Sequence, residues 1–423
     1  MQKTDGGLPS AKDTCWPDDP EAYRYNPRLH SARSTDSYLF NQLIPYIGNK
    51  RKLLPLIYGA IASTGVRGGT FLDAFSGSGV VSRLAKLLGF KVVSNDWEPY
   101  SLNINRSFVG CNRPPAFKRL GGAQRAFALL DGLEPVDGYV ARHFCPADDS
   151  DPRPARERMF FTRANGARID AARDAIEAWA ADGLINDAER SFLLGPLLYS
   201  VSYVSNTSGV FKAYHNGWGG ATGTALYRIL SRMETTPPVL FDNGMENIVL
   251  CEDAHSVVAA VDADITYIDP PYNQHQYGSN YHLLNTVAVW DKPALNPSVL
   301  VGGRTHNKSA IRRDWRASRR SRFCTRGAAE EEMGRVLEES RSGYVLISYS
   351  TDGIIPAESL IRLAAGFGEV ELLTARYKRY RVSSQRYSEK PMTVEFVVVL
   401  RRTGRRCEPG AALRRLRAES LLD

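Results

Sequence analysis

The run Asp264-Ile-Thr-Tyr-Ile-Asp-Pro-Pro-Tyr272 reads as an apolar strand ending in a rigid polar loop. Two consecutive prolines stop a strand, and open α/β sheets bind ligands just beyond the carboxyl ends of their strands. The loop offers three groups side by side: the Asp269 carboxylate, the Pro270 carbonyl with no N–H from Pro271 beside it, and the Tyr272 ring. Together they suit a planar amine. Asp269 and the Pro270 oxygen each accept from an exocyclic NH₂, and Tyr272 stacks on the ring that carries it.

A second constellation lies upstream. Asp73-Ala-Phe75-Ser-Gly77-Ser-Gly79 follows a short apolar run from Thr70 and precedes a helical pattern (Val80, Val81, Leu84, Leu87, Leu88). A glycine turn between strand and helix lets a ligand come close to the backbone. Ser82 stands where a third glycine would complete G-x-G-x-x-G, so the turn departs from the dinucleotide fingerprint. Asp96 ends the next strand-like run, Lys91–Trp97, where an acid can accept from ribose hydroxyls. Turn and acid together point to a nucleoside-bearing cofactor without an obligatory pyrophosphate.

The elements that must position these groups alternate. Helical periodicity covers Lys50–Ala62, the segment after Gly79, and Glu98–Val109; strand-like runs cover Asn247–Cys251, Asp264–Ile268, Tyr344–Ser350, Glu369–Leu373 and Val394–Leu400. Alternation of this kind predicts an α/β fold, a doubly wound Rossmann-like sheet. Between the halves, residues 167–205 carry helical patterns and no strand is evident, which predicts a mainly helical insertion. The expected division is a poorly ordered arm over 1–35, the cofactor half over 36–110, the insertion over 111–245, the Asp269 half over 246–402, and a basic tail over 403–423.

Net charge is +8, but residues 304–326 hold nine Lys/Arg against one acid, and residues 401–417 hold seven Arg against one acid. The rest of the chain is mildly acidic, so the local basic surface suggests a polyanion partner, most simply nucleic acid. Arg312, Arg316 and Arg320, with Trp315 and Phe323 between and beyond them, suit phosphate contacts, and the 304–326 segment reads as a DNA-facing loop. No apolar run approaches the ~20 residues of a membrane span, and the first 20 residues lack an apolar signal core. Six cysteines without a C-x-x-C pair, and seven scattered histidines, argue against a disulfide scaffold or a metal site. A reducing cytoplasm, in a prokaryote or phage-infected cell, is the expected location.

In this order the motifs resemble the D12 class of adenine-specific DNA N6-methyltransferases. Tyr46-Ile-Gly-Asn-Lys-Arg-Lys52 resembles the N-terminal motif of that family, Phe75–Gly79 its F-x-G-x-G cofactor motif, and Asp269–Tyr272 its D-P-P-Y catalytic motif. Gln276-Tyr-Gly-Ser-Asn-Tyr-His-Leu-Leu284 resembles the FokI-type modification enzymes, and the resemblance extends over roughly residues 38–400. It implies S-adenosylmethionine as cofactor, held by Tyr46 and Lys50 at the methionine end (Lys50 on its carboxylate), by Phe75, Gly77 and Gly79 beneath it, by Asp96 at the ribose and by Asp253 at the purine amine. It implies Asp269, Pro270, Pro271 and Tyr272 as the catalytic set, acting on adenine flipped out of double-stranded DNA. It places target recognition in the 111–245 insertion and suggests a cognate restriction endonuclease as a partner. Cytosine-N4 methylation is the nearest alternative, since it uses the same amine clamp; a catalytically silent DNA-binding protein on the same fold is the alternative from another class. Cytosine-C5 chemistry needs a nucleophilic Cys, typically after Pro, and the sequence has no Pro-Cys.

Overall fold

A computed structural model describes residues 38–220, 223–296, 299–301, 304–305, 308–378 and 392–420. The arm expected over 1–35 lies outside the described residues. The strands in chain order are β1 (Thr70–Asp73), β2 (Lys91–Asn95), β3 (Ile248–Leu250), β4 (Ile265–Ile268), β5 (Leu300–Val301), β6 (Arg304–Thr305), β7 (Tyr344–Ser350), β8 (Gly368–Lys378) and β9 (Met392–Arg402). Seven of them form one sheet in the order β3-β2-β1-β4-β7-β9-β8, and β5 and β6 form a separate antiparallel ribbon. The first five sheet strands run parallel, while β9 is antiparallel to both β7 and β8.

The chain winds outward from β1 through β2 to β3, then returns to β4 on the other flank of β1. β1 and β4 therefore border the point where winding reverses, and the crevice of such a sheet opens at their carboxyl ends. Side-chain alternation along each strand feeds two cores. Phe71, Val92 and Leu346 face helices Leu54–Ser63 and Val80–Leu87, whereas Leu72, Val93, Val345 and Ile347 face Met333, Val336, Leu360 and Leu413 on the opposite side.

Residues 111–245 hold helices Ala123–Asp131, Tyr139–Phe144, Arg163–Ala181, Asp187–Tyr203 and Leu226–Ile229, and no strand among the described residues. The helical pattern of 167–205 resolves into two helices. The second starts at a capping box in which Asn186 and Glu189 exchange side-chain and backbone hydrogen bonds. It tolerates Pro196 in its interior because the Phe192 carbonyl, which Pro196 cannot serve, accepts from Ser107 Oγ at 3.2 Å. The insertion has no core of its own. Phe127, Phe160, Phe192 and Leu197 share one cluster with Tyr100 and Ile104, and with Leu283 and Val287 on helix His282–Val289.

Two expectations need correction. The stretch read as a basic tail carries helix Gly410–Ser420, whose Ala412, Leu413 and Leu416 are buried in the sheet-facing core, with Arg417 paired to Glu358 at 2.9 Å. The basic segment is not a loop of free arginines. It contains helix Arg313–Ser318, and Arg312 lies between Asp291 (2.5 Å) and Asp314 (2.6 Å) while Arg322 pairs with Glu332 (2.5 Å) and Glu331 (3.1 Å). Acids nearby in space offset two of the nine Lys/Arg counted in the segment, Arg312 and Arg322.

Candidate functional site

The loops after β1, β2 and β4 meet in one cleft of about 830 Å³, open to solvent. Tyr46, Lys50, Phe75, Gly77, Asp96 and Asp269–Tyr272 all line it. Asp253 lines an adjoining hollow, together with Phe75 and Trp97, which belong to both. It also caps helix Ala254–Ala260, accepting from the His255 N–H at 3.0 Å. Gly79 is not among the cleft-lining residues; it starts helix Val80–Leu87 from a left-handed conformation.

Glycine is required at both turn positions. Gly77 has φ +50°, and a Cβ there would lie 2.8 Å from the Tyr46 ring; Gly79 has φ +79°, and a Cβ would lie 2.2 Å from Asn105 Oδ1. Ser82, where the dinucleotide pattern has glycine, donates its hydroxyl to Asp73 Oδ2 at 2.7 Å. The other oxygen of Asp73 is buried and meets no hydrogen-bond partner among the described residues. Burial pushes the Asp73 carboxyl up to about 7, against the pull of the Ser82 bond.

Asp96 is held by the turn it serves. Its two oxygens accept from the N–H groups of Gly77 (2.7 Å) and Glu98 (2.9 Å). Burial raises its carboxyl to about 6, and those backbone bonds oppose the rise. Each oxygen keeps a lone pair that can accept from a ribose hydroxyl.

Sequence reasoning missed Asn95. Its amide donates to the Ala74 carbonyl (3.2 Å) and the Glu252 carbonyl (3.1 Å), and its oxygen accepts from the Glu252 N–H (3.0 Å), so one buried side chain ties together the loops after β1, β2 and β3. The polar pair Ser94-Asn95 following Val92 and Val93 at the end of a buried strand was the available signal. Glu395 was also missed; burial lifts its carboxyl, and it contributes to the field at Lys50.

The N-terminal motif reaches the same cleft by a different route. Asn49 caps the short 3-10 turn Lys50–Leu53, accepting from the Arg51 N–H at 2.8 Å. Ile47 is gripped from both sides: its N–H donates to the Tyr281 hydroxyl (2.8 Å) and its carbonyl accepts from the Tyr277 hydroxyl (3.1 Å). The Tyr46 ring stacks on Tyr281 at 4.9 Å and its hydroxyl accepts from Tyr100 at 3.0 Å. Lys50 is 3% exposed, and its ammonium lies 2.9 Å from Asp269 Oδ1 and 5.0 Å from the centre of the Tyr272 ring. Burial alone would lower the Lys50 pKa, but Asp269, Tyr272 and Glu395 outweigh it and hold the ammonium well above its ordinary value. Asp269 is raised by burial, with Lys50 drawing it back down. The resemblance implies that Lys50 meets a cofactor carboxylate; here its partner is the Asp269 carboxylate.

The profile of D12 class N6 adenine-specific DNA methyltransferases matches residues 46–301. Among similar proteins, the type II methyltransferase M.NlaIII of Neisseria lactamica is 29% identical over 364 residues, 85% of this chain and 99% of that protein. M.FokI of Planomicrobium okeanokoites is 30% identical over 76% of this chain, which spans only 46% of that protein. M.CviAII of Paramecium bursaria Chlorella virus 1 is 29% identical over 80% of this chain and 93% of its own length. No solved structure matches.

Proposed function

The chain belongs to the family of D12 class N6 adenine-specific DNA methyltransferases, and on that premise we propose that it methylates adenine N6 at a fixed sequence in double-stranded DNA. Its role would be that of the modification enzyme in a restriction–modification system, with a cognate endonuclease as partner. The relatives named type II methyltransferases support this reading, and the chain spans nearly all of two of them. The observation that carries it is that Asp269–Tyr272, the acceptor clamp, and the Gly77 turn with Asp96 line one cleft.

The residues present fit S-adenosylmethionine. The unpartnered Asp73 oxygen suits its methionine ammonium, Asp96 its ribose, and Asp253 in the adjoining hollow its purine amine. When bound, that molecule would supply an electrophilic sulfonium methyl, so the protein needs no nucleophile of its own. Adenine N6 is a weak nucleophile because its lone pair is spread into the ring. Asp269 and the Pro270 carbonyl, by accepting both N6 hydrogens, draw that nitrogen towards a tetrahedral shape and return the lone pair to it. Tyr272 fixes the plane of the base. Catalysis is then positioning and electrostatics. The same clamp would serve cytosine N4, but the leading acid and the matched family both favour adenine.

DNA from cells expressing the protein, sequenced with modified-base detection, should carry N6-methyladenine in one sequence context. N4-methylcytosine, or no modified base, would refute the proposal. Replacement Asp96→Ala should weaken S-adenosylmethionine binding by about 1.5–3 kcal/mol, the scale of hydrogen bonds to a charged group. Affinity for DNA alone should barely move. Calorimetry showing an unchanged cofactor constant would mean that the ribose is held elsewhere.

A further inference from the structure

The end of the basic segment leaves the surface and enters the cleft. Arg319 and Ser321 line the cleft beside Asp269, while Arg320, Arg322 and Phe323 line the adjoining hollow with Asp253. Gln276, four residues beyond the clamp, holds the strip by both polar groups of Ser321: the Ser321 N–H donates to Gln276 Oε1 at 2.8 Å, and Gln276 Nε2 donates to the Ser321 carbonyl at 3.2 Å. Arg319 reaches the opposite side, donating from Nη1 to the carbonyl of Trp97 at 2.8 Å. Gly278 makes room for it, since a Cβ there would stand 3.2 Å from Arg319 Cβ. Phe323 closes the far end, buried and edge-on to Phe75 at 5.3 Å.

Trp97 follows β2 and Gln276 follows β4, and these strands flank β1. A strip tied to both loops must therefore pass over the carboxyl end of β1, where the Gly77 turn lies. We propose, resting on the cofactor reading above, that residues 319–323 are a strap across the cofactor cleft, with Arg319 and Gln276 as its positioning residues. The chemistry agrees with that role. The strap presents an aromatic ring and a half-buried guanidinium already engaged with a carbonyl, which suits a nucleoside enclosed beneath it better than a phosphate outside. Cofactor affinity is thus set partly from within a segment whose composition suggests DNA contact alone.

The test is calorimetric titration of the full chain with S-adenosylmethionine, without DNA, for wild type, Arg319→Ala and Gln276→Ala. Each variant should raise the dissociation constant roughly 10-fold, the scale of one lost hydrogen bond to a charged or closely held partner. In steady state the loss should appear mainly in the cofactor KM, with a much smaller fall in kcat. Arg319→Lys keeps one donor for the Trp97 carbonyl and should recover most of the affinity, which also covers the case in which the alanine variants fail to fold. The slope of DNA affinity against salt should match wild type. Unchanged cofactor affinity in the variants overturns the strap, and a flattened salt slope beside it makes Arg319 a phosphate contact. A wild type that takes up no S-adenosylmethionine overturns the cofactor reading, and the strap with it.

Discussion

Asp269→Ala is expected to lower methyl-transfer turnover by about 10²–10⁴-fold, the range for removing a group that handles a proton and a developing charge at once. Cofactor affinity should change far less, because the role proposed for Asp269 is on the substrate amine. The variant has a second consequence. Asp269 and Lys50 form a buried pair at 2.9 Å, and removing one partner from such a pair costs about 3–5 kcal/mol by leaving the other charge uncompensated. A lower melting temperature will therefore accompany the loss of activity. The double variant Lys50→Met, Asp269→Ala separates the two effects: it removes both charges, so stability should largely return while turnover does not. Turnover near wild type in Asp269→Ala, or its recovery in the double variant, would remove Asp269 from the chemistry.

The parts of this site that could be read from sequence are those built from neighbours in the chain. Asp269 to Tyr272 bring an acid, a carbonyl and a ring to the cleft within four residues, and Gly77 and Gly79 meet their steric demands within one turn, so residue type and order suffice. The pairings that organise the site are of another kind. Lys50 meets Asp269 and Ile47 meets Tyr281 across more than two hundred residues, and nothing in either local segment names the partner. Charge was misread for the same reason. A count of nine Lys/Arg against one acid along 304–326 leaves out Asp291 and Glu332, which stand against Arg312 and Arg322 in space. The helix in the tail was within reach, since Leu413 and Leu416 sit three residues apart on one buried face. Arginine on its exposed face made the segment look solvated throughout. Expected strands and helices fell in place because period and burial agree, but the sharing of one core between the insertion and helix His282–Val289 depends on packing that no periodicity encodes.

Lys50→Met should move the acidic limb of methyl transfer to higher pH. The sign follows from the field at Asp269. Burial raises its carboxyl above the ordinary range, and the Lys50 ammonium is the influence that draws it back down. Methionine fills a similar volume without the charge, so the carboxyl in the variant rises further and stays protonated to higher pH than in wild type. A protonated carboxyl is a poorer acceptor for the N6 hydrogen and cannot take up its proton. Turnover should fall on the acidic side of the profile, and part of it should return as the pH is raised through the new carboxyl pKa. The acidic limb of the kcat profile moves to higher pH, while the cofactor KM changes little. The alternative role for Lys50, pairing with the cofactor carboxylate, makes the opposite forecast: a higher cofactor KM at every pH and an acidic limb that stays where it is in wild type. The buried contact at 2.9 Å, with the Lys50 side chain only 3% exposed, is the reason to expect the first outcome.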